Sequence, residues 1–361
     1  MRLKVLQVNK LYYPHIGGVE KVVQEIAEGL SDRIDMRVLV CQPSRKGKSQ
    51  DIINGIPVTR VGSLGTFWSM PLSPTFPIHL HALGKWADIL HFHMPFPLGD
   101  LSYLFSPKKK VVVTWHSDII RQKRALKFYT PLLNKFLSSV DRIIITSPAP
   151  LKYSPFLAPF RDKCQVIPLG IRDYWLQEPS FIKPKNRTIL FVGRLCYYKG
   201  VEYLIDAMVH IDADLVIIGD GELRSELQEK TIQLGIDHKV FFLVKCSDDE
   251  LRAWYHSSDL FVLPSVEPSE AFALVQVEAM AAGTPVVNTH LPSGVPFVSL
   301  HGKTGLTVEP RNSNQLAEAI NCILSDENLA REFSKNAKER VLELFTVEHM
   351  LDSIYSLYTQ L

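Results

Sequence analysis

The sequence predicts an α/β protein made of two doubly wound parallel-sheet domains. Three observations predict it. Short β-branched runs alternate with helical patterns along the chain, as in parallel strands joined by right-handed crossovers. The 361 residues exceed what one compact α/β core needs and suit two domains of ordinary size. Arg172–Arg187 (RDYWLQEPSFIKPKNR) is polar, lacks periodicity and carries Pro179 and Pro184; a fresh strand, Thr188–Val192, follows it, so it reads as an interdomain linker. The expected boundaries are 1–172 for the first domain and 173–345 for the second. Residues 346–361 are expected to form a helix that packs back towards the first domain.

In order along the chain, strands are expected near 3–8, 36–40, 57–61, 88–92, 110–115, 142–146 and 164–167. A second set falls near 187–193, 213–218, 239–243, 259–263, 284–288 and 305–308. Helical patterns lie near 19–30, 119–138, 199–209, 221–234, 247–256, 273–282, 313–325 and 327–344. In the helix near 313–325, Leu316, Ile320 and the pair Ile323/Leu324 share a face. Sheets of this kind bind ligands at the C-terminal ends of their strands, which singles out the loops after Val8, Leu90, Val113, Val192, Ile218 and Leu263.

Composition narrows the class. Apolar residues make up 46% and charged residues 22%, a globular balance. The net charge of +2 is uninformative, but Phe105–Lys152 holds ten Lys/Arg against two Asp/Glu, a local +8 that leaves −6 elsewhere. A basic face in the first half favours an anionic partner. Five scattered cysteines (Cys41, Cys164, Cys196, Cys246, Cys322) contain no CxxC, which argues against a disulfide framework or zinc site and for a reducing cytosol. The chain opens into the strand Leu3–Val8, with no signal peptide and no apolar run near the ~18–20 residues of a spanning helix. A cytoplasmic protein is expected, with any membrane contact made at the surface.

Four of the strand-end loops carry groups that a diphosphate needs. Gly17-Gly18 stands between the first strand and a helix, where glycines let backbone N–H groups approach an anion. An ordinary βα turn has the same look, and the pair is not GxGxxG. In Gly193-Arg-Leu-Cys-Tyr-Tyr-Lys-Gly200, Arg194 and Lys199 sit at a helix N-terminus, where the dipole disfavours unpaired cations. A bound diphosphate would resolve that conflict; a solvated basic loop is the alternative. In the stretch Pro264–Pro285, Glu270 lies in the loop and Glu278 eight positions on, inside an otherwise apolar helix begun by 271–275. A buried carboxylate there needs donors, from sugar or ribose hydroxyls or from a structural Arg. His116, in Val113-Thr-Trp-His-Ser-Asp118, ends a strand at its functional edge, as a ligand contact or as a packed or capping histidine. Asp212-Ala-Asp214 superficially resembles a metal-binding DxD, but Asp214 immediately precedes a strand, so the pair reads as a surface turn.

Together these pieces resemble the retaining GT-B glycosyltransferases of glycosyltransferase family 4, the group 1 glycosyl transferases. The resemblance spans nearly the whole chain and is carried by IGGVE (16–20), TWHSD (114–118), VIPLGI (166–171), FVGRLCYYKG (191–200), GDGEL (219–223) and SEAFALVQVEAMAAGTPVV (269–287). The last, an E-x7-E motif, is the most specific, and GRL…KG lies about 75 residues upstream of it. The resemblance implies two Rossmann-like domains facing a central cleft. It also implies that Arg194 and Lys199 grip the donor diphosphate, Glu278 binds ribose hydroxyls and Glu270 lies near the transferred sugar. Leu274 and Val275 would offer N–H groups to phosphate, Gly17 and Gly18 would face the diphosphate, and His116 would contact the donor sugar. His116, Glu270, Arg194 and Lys199 are therefore the catalytic candidates.

The implied reaction needs no metal or cofactor: cations and helix N-termini can stabilise the charge growing on a nucleoside diphosphate leaving group. Retention of configuration comes from the resemblance alone. Three departures from the family pattern stand out. Ala273 replaces a frequent glycine and looks helix-compatible, Val244-Lys-Cys246 replaces a glycine-bearing loop near the base pocket, and His290–Leu300 replaces a Gly-Gly turn. The last is similar to a mannosyl- and rhamnosyltransferase subgroup, which favours a mannose-type sugar from GDP-mannose.

The acceptor side shows an amphipathic segment over 119–138. Leu126, Tyr129, Leu133, Phe136 and Leu137 form one stripe, and Arg121, Lys123, Arg124, Lys127 and Lys135 lie on the other side. A core-packed helix with a solvated basic face has this pattern, and so does a helix whose basic residues, Arg121, Lys123, Arg124 and Lys127 among them, meet anionic lipid. The apolar run Phe67–Leu72 (FWSMPL) could touch acceptor or lipid, or be buried. The leading reading is transfer of a hexose to a lipid-linked or polysaccharide acceptor at the inner membrane face. The alternatives are a nucleotide-sugar epimerase, a glycogen or starch synthase, or a non-catalytic nucleotide-sugar-binding protein; a dinucleotide dehydrogenase lacks its glycine fingerprint, and nothing points to nucleic acid.

Overall fold

The computed structural model describes residues 2–15, 17–42, 47–67, 70–119, 123–180 and 184–361, without the side chains of 67, 70 and 123–127. The chain divides into two compact units: Met1–Ile167 with Met350–Leu361, and Pro168–His349.

Unit 1 contains β1 (Lys4–Val8), β2 (Asp35–Gln42), β3 (Ser49–Ile53), β4 (Ile56–Gly62), the two-residue strands β5 (Thr66–Phe67) and β6 (Met70–Pro71), β7 (Ile89–Met94), β8 (Lys110–Trp115), β9 (Arg142–Ile145) and β10 (Cys164–Val166). Its helices are α1 (Gly18–Gly29), α2 (Phe76–Trp86), α3 (Pro97–Tyr103), α4 (Lys123–Ser139) and α5 (Ala149–Tyr153). The main sheet runs β10-β9-β8-β7-β1-β2-β4-β3, parallel throughout except where β3 turns back along β4. Because β1 lies between β2 and β7, the strand order reverses at β1/β7 and opens a crevice at their C-terminal ends.

Strand alternation then sorts the side chains. Leu90, Phe92 and Met94 of β7, with Val111, Val113 and Trp115 of β8, pack against Leu133, Phe136 and Leu137 of α4. The alternate positions of β7, His91 and His93, face the other way and are buried. On α4 the apolar stripe is core from Leu133 on, while Phe128 on the same helix is exposed.

Unit 2 carries β11 (Thr188–Val192), β12 (Asp214–Ile218), β13 (Val240–Leu243), β14 (Leu260–Leu263), β15 (Val286–Thr289) and β16 (Gly305–Val308). Its helices are α6 (Val201–Met208), α7 (Arg224–Gln233), α8 (Asp248–Ser257), α9 (Leu274–Ala282), α10 (Val295–Val298), α11 (Ser313–Ser325) and α12 (Glu327–Leu344). The all-parallel order β13-β12-β11-β14-β15-β16 is the dinucleotide-fold order, with its reversal between β11 and β14. Ile189 and Phe191 of β11 pack on Leu204, Ile205 and Met208 of α6, beside Leu316, Ile320 and Ile323 of α11. α8 starts at a full capping box: Glu250 N–H donates to the Ser247 hydroxyl, and the Glu250 carboxylate accepts from Ser247 N–H. The last helix, α13 (Val347–Thr359), contributes its residues from Met350 to unit 1, where Arg33 bonds Asp352 at 2.7 Å.

The structure corrects the linker reading. Asp173–Leu176 forms a 3-10 turn inside unit 2, and Trp175 is buried edge-on against Tyr255, with ring centroids 5.9 Å apart. A buried indole gains more from packing than a free spacer segment would. Elements not read from sequence are short or weakly periodic: β3, β5, β6, α2, α3, α5 and α10. For α2, a residue pattern without a clear apolar stripe hid a helix whose start is nonetheless marked by Pro77.

Candidate active site

The order reversal of unit 2 brings two loops side by side, one after β11 and one after β14. The first leaves Val192 through Gly193, passes exposed Arg194, forms the 3-10 turn Tyr197–Lys199 and enters α6 through Gly200. A side chain at Gly219, after β12, would place Cβ 1.9 Å from the carbonyl oxygen of Gly193, so only glycine lets the loop after β12 meet the loop after β11. The second loop carries Ser265 and Glu270. Lys199 and Glu270 are buried and joined, Lys199 Nζ lying 2.5 Å from Glu270 Oε2; Ser265 Oγ donates to the same oxygen at 3.1 Å.

This overturns one expectation. Lys199 is not an unpaired cation at a helix start, because Glu270 neutralises it within the protein. Glu270 takes one of the three donor directions of the ammonium, and exposed Arg194 sits five positions away on the same loop.

The helix after Glu270 also starts differently from the sequence reading. It begins at Leu274, not within 271–273, and Ala273 caps it in the left-handed region (φ 65°, ψ 70°) with no side-chain cap. Alanine is therefore not helix-compatible here in the sense expected; it occupies a glycine conformation that costs an L-residue roughly 1–2 kcal/mol. The turn aims the first N–H groups of α9, those of Leu274 and Val275, out of the helix end. Glu278, one turn along and buried, accepts a hydrogen bond from the Tyr255 hydroxyl at 2.9 Å. Burial, and then the Glu278 charge, push the Tyr255 phenol well above its usual range, so it stays a donor.

In unit 1 the segment after β1 holds Lys10, Gly17, Gly18 and Glu20. Gly17 is extended (φ −156°, ψ 167°) and caps α1, and a Cβ there would lie 2.2 Å from Glu20 Oε2. Lys10 is half-buried; desolvation lowers its pKa and Glu20 opposes that. His116 follows β8, its N–H bonded to Met94 O at 3.1 Å. Burial lowers its pKa to about 3, and Lys10 adds to the effect, so His116 is a neutral imidazole beside a cation. Its neighbour Asp118 is occupied structurally, accepting from Trp115 Nε1 and Ser154 Oγ, each at 2.8 Å.

Sequence reasoning missed Tyr255 and Ser265, which hold the two glutamates, and the histidines His91 and His93 behind His116. A signal for the histidines exists: in ILHFHM two polar residues at alternate positions interrupt a parallel strand that should read as continuously apolar. The side chains of Arg121, Lys123, Arg124 and Lys127, and most of the FWSMPL run, lie outside the described residues. Among the described residues, no cluster of three or more His, Cys, Asp or Glu is arranged to hold a metal ion, and no helix is long and apolar enough to cross a membrane.

Comparison with known proteins decides the family. The Glycosyltransferase Family 4 signature matches residues 16–173 and that of Glycosyl transferases group 1 matches residues 176–340. The O-antigen chain mannosyltransferase C of Escherichia coli is 31% identical over 99% of both chains. The chain belongs to glycosyltransferase family 4. The D-rhamnosyltransferase WbpZ of Pseudomonas aeruginosa is similar to this glycosyltransferase at 33% identity, covering 95% of this chain and 92% of WbpZ. Among solved structures, Anabaena HepE in complex with UDP-glucose superposes with a TM-score of 0.79 at 21% identity over all of both chains, a likeness of fold. The glycosyltransferase thus has the GT-B architecture, two parallel-sheet α/β domains, and its reaction is hexosyl transfer. The group 1 segment spans Arg194, Lys199, Glu270, Leu274, Val275 and Glu278, and the family 4 segment spans Gly17, Gly18 and His116.

Proposed function

We propose that this glycosyltransferase moves a mannose-type hexose from GDP-mannose to a lipid-linked or polysaccharide acceptor, with retention of configuration and without a metal. The observation that carries the reading is the buried Lys199–Glu270–Ser265 cluster beside Arg194, at the strand-order reversal of unit 2. As the glycosidic bond breaks, charge grows on the leaving nucleoside diphosphate. Arg194 supplies a cation, Lys199 supplies the ammonium N–H donors that Glu270 leaves free, and the N–H groups of Leu274 and Val275 supply the positive end of α9. Those groups occupy the role a divalent cation has in other transferases.

Glu278, with one oxygen set by Tyr255, is the partner for the ribose hydroxyls. Glu270 holds Lys199 and stands nearest the transferred sugar. In unit 1, His116 acts on the donor sugar, and Gly17 and Gly18 leave the backbone open to phosphate. The mannosyl- and rhamnosyltransferase relatives support this choice of sugar and acceptor. A polysaccharide made on a lipid carrier places the enzyme at the inner membrane face, with Arg121, Lys123, Arg124 and Lys127 as the anionic-lipid contact.

The test is a melting-temperature panel of GDP-mannose, UDP-glucose, ADP-glucose and TDP-rhamnose, each with and without EDTA, because a ligand of the folded state stabilises by mass action. A rise with GDP-mannose that survives EDTA, and is lost in Arg194→Ala, supports the reading. A hit with another base replaces the donor, loss of the hit with EDTA refutes metal independence, and a product of inverted anomeric configuration by NMR refutes retention.

A further inference from the structure

Behind His116 runs an unbroken chain of buried hydrogen bonds. His116 Nε2 lies 3.0 Å from His93 Nδ1, and the two rings stack with centroids 5.3 Å apart. His93 Nε2 is 2.6 Å from Gln7 Oε1, Gln7 Nε2 donates to the Tyr358 hydroxyl at 3.1 Å, and that hydroxyl is 2.5 Å from His91 Nδ1. His91 Nε2 ends the chain 2.7 Å from Thr114 Oγ1. Gln7, His91, His93, Thr114 and Tyr358 are all at most 2% exposed. The sheet register explains the meeting: Gln7 pairs with His91 and His93 with Thr114, so all four share one face of β1, β7 and β8, and α13 lays Tyr358 on it.

Each imidazole in such a chain has one donor and one acceptor nitrogen while neutral, and burial keeps all three histidines neutral. One proton assignment therefore dictates the next. Gln7 Oε1 can only accept, so His93 carries its hydrogen on Nε2 and offers Nδ1 as a lone pair. His116 must then carry its hydrogen on Nε2, which leaves its Nδ1 as an acceptor. At the other end Tyr358 donates to His91 Nδ1, and His91 Nε2–H donates to Thr114. Reversing the Gln7 amide would reverse every member, His116 included.

We propose that Gln7, His93 and Tyr358 are positioning residues that lock His116 as the Nε2–H tautomer, so that its Nδ1 accepts a hydrogen bond from a hydroxyl of the bound sugar. An acceptor-only group, such as a phosphate or carbonyl oxygen, finds no partner at that nitrogen, so the chain selects for a hydroxylated substrate. This rests on the reading of His116 as a donor-sugar contact.

The test is nitrogen NMR of histidine ring tautomers in the full-length protein, with Tyr358→Phe as the first variant and Gln7→Met as the second, whichever folds. Wild type is expected to show His116 protonated at Nε2 only. Either variant is expected to show a mixture of tautomers and to lower kcat about tenfold, the scale on which partners that orient metal-binding histidines act, with affinity for GDP unchanged. Protonation of His116 at Nδ1 in wild type, or a single unchanged tautomer in a folded variant, overturns the proposal. If no nucleotide sugar binds, the proposed function falls, while the wild-type tautomer still decides the proton order.

Discussion

Removing the Lys199 ammonium while leaving Glu270 in place strands a carboxylate whose side chain keeps only 10% of its exposure. At 2.5 Å the gross attraction of the pair is about 7 kcal/mol with an effective dielectric constant near 20. Desolvating both ions offsets most of that, but breaking such a pair from one side leaves the penalty uncompensated and costs about 3–5 kcal/mol. The small residual exposure admits some water, so we expect Lys199→Met and Glu270→Leu each to cost about 3 kcal/mol, at the lower end of that range. The second variant also takes the acceptor from Ser265. The double variant buries two apolar side chains in place of two ions and should cost about 1 kcal/mol or less. The cycle then shows a coupling of about 5 kcal/mol, far beyond the additivity expected of independent sites. Guanidinium unfolding of the four proteins at pH 7.5 and one salt concentration measures it. Single-variant losses that add to within about 0.5 kcal/mol would refute the buried pair. A linked outcome concerns the ligand: Glu270→Gln frees Lys199 for an anion, so GDP should bind this variant more tightly than wild type, as read by titration calorimetry.

Three more outcomes follow from particular geometries. Ala273→Gly relieves a left-handed alanine and should raise unfolding free energy by about 1 kcal/mol; an unchanged or lowered denaturation midpoint would show that the φ of 65° carries no strain. Gly219→Ala should destabilise unit 2 by several kcal/mol or prevent its folding, because its Cβ meets a backbone oxygen that side-chain motion cannot move; a near-native midpoint refutes the close approach. Asp100 supplies a pH dependence: buried on α3 and bonded to the Tyr129 hydroxyl, its carboxyl is raised to about 8, chiefly by desolvation. The folded state thus holds a proton that the unfolded chain, near ~3.9, has released, so this stability is lost as pH rises through about 8. Unfolding free energy should fall by about 1 kcal/mol from pH 7 to pH 8 in wild type and less in Asp100→Asn; parallel curves would place the proton elsewhere.

The sequence by itself determined the alternation of strands and helices, and with it two parallel sheets, because β-branched runs and 3.6-residue stripes are local signals. It also placed the cations Arg194 and Lys199 on a strand-end loop, and the E-x7-E spacing put Glu270 in a second loop and Glu278 on the helix that follows it. What local pattern could not carry was pairing. Lys199 looked like a free cation because Glu270 lies far along the chain, and only the adjacency of β11 and β14 brings them to 2.5 Å. The left-handed Ala273 was hidden because alanine signals helix wherever it stands, and the neighbouring structure holds it otherwise. Trp175 in a supposed linker meets Tyr255 of α8 only once unit 2 has folded, and the row Gln7, His91, His93, Thr114 and Tyr358 behind His116 depends on strand register and on the final helix reaching the first sheet. Hydrogen bonds and ion pairs are made at a few ångströms, so their partners are chosen by which strands become neighbours, and that choice belongs to the tertiary fold.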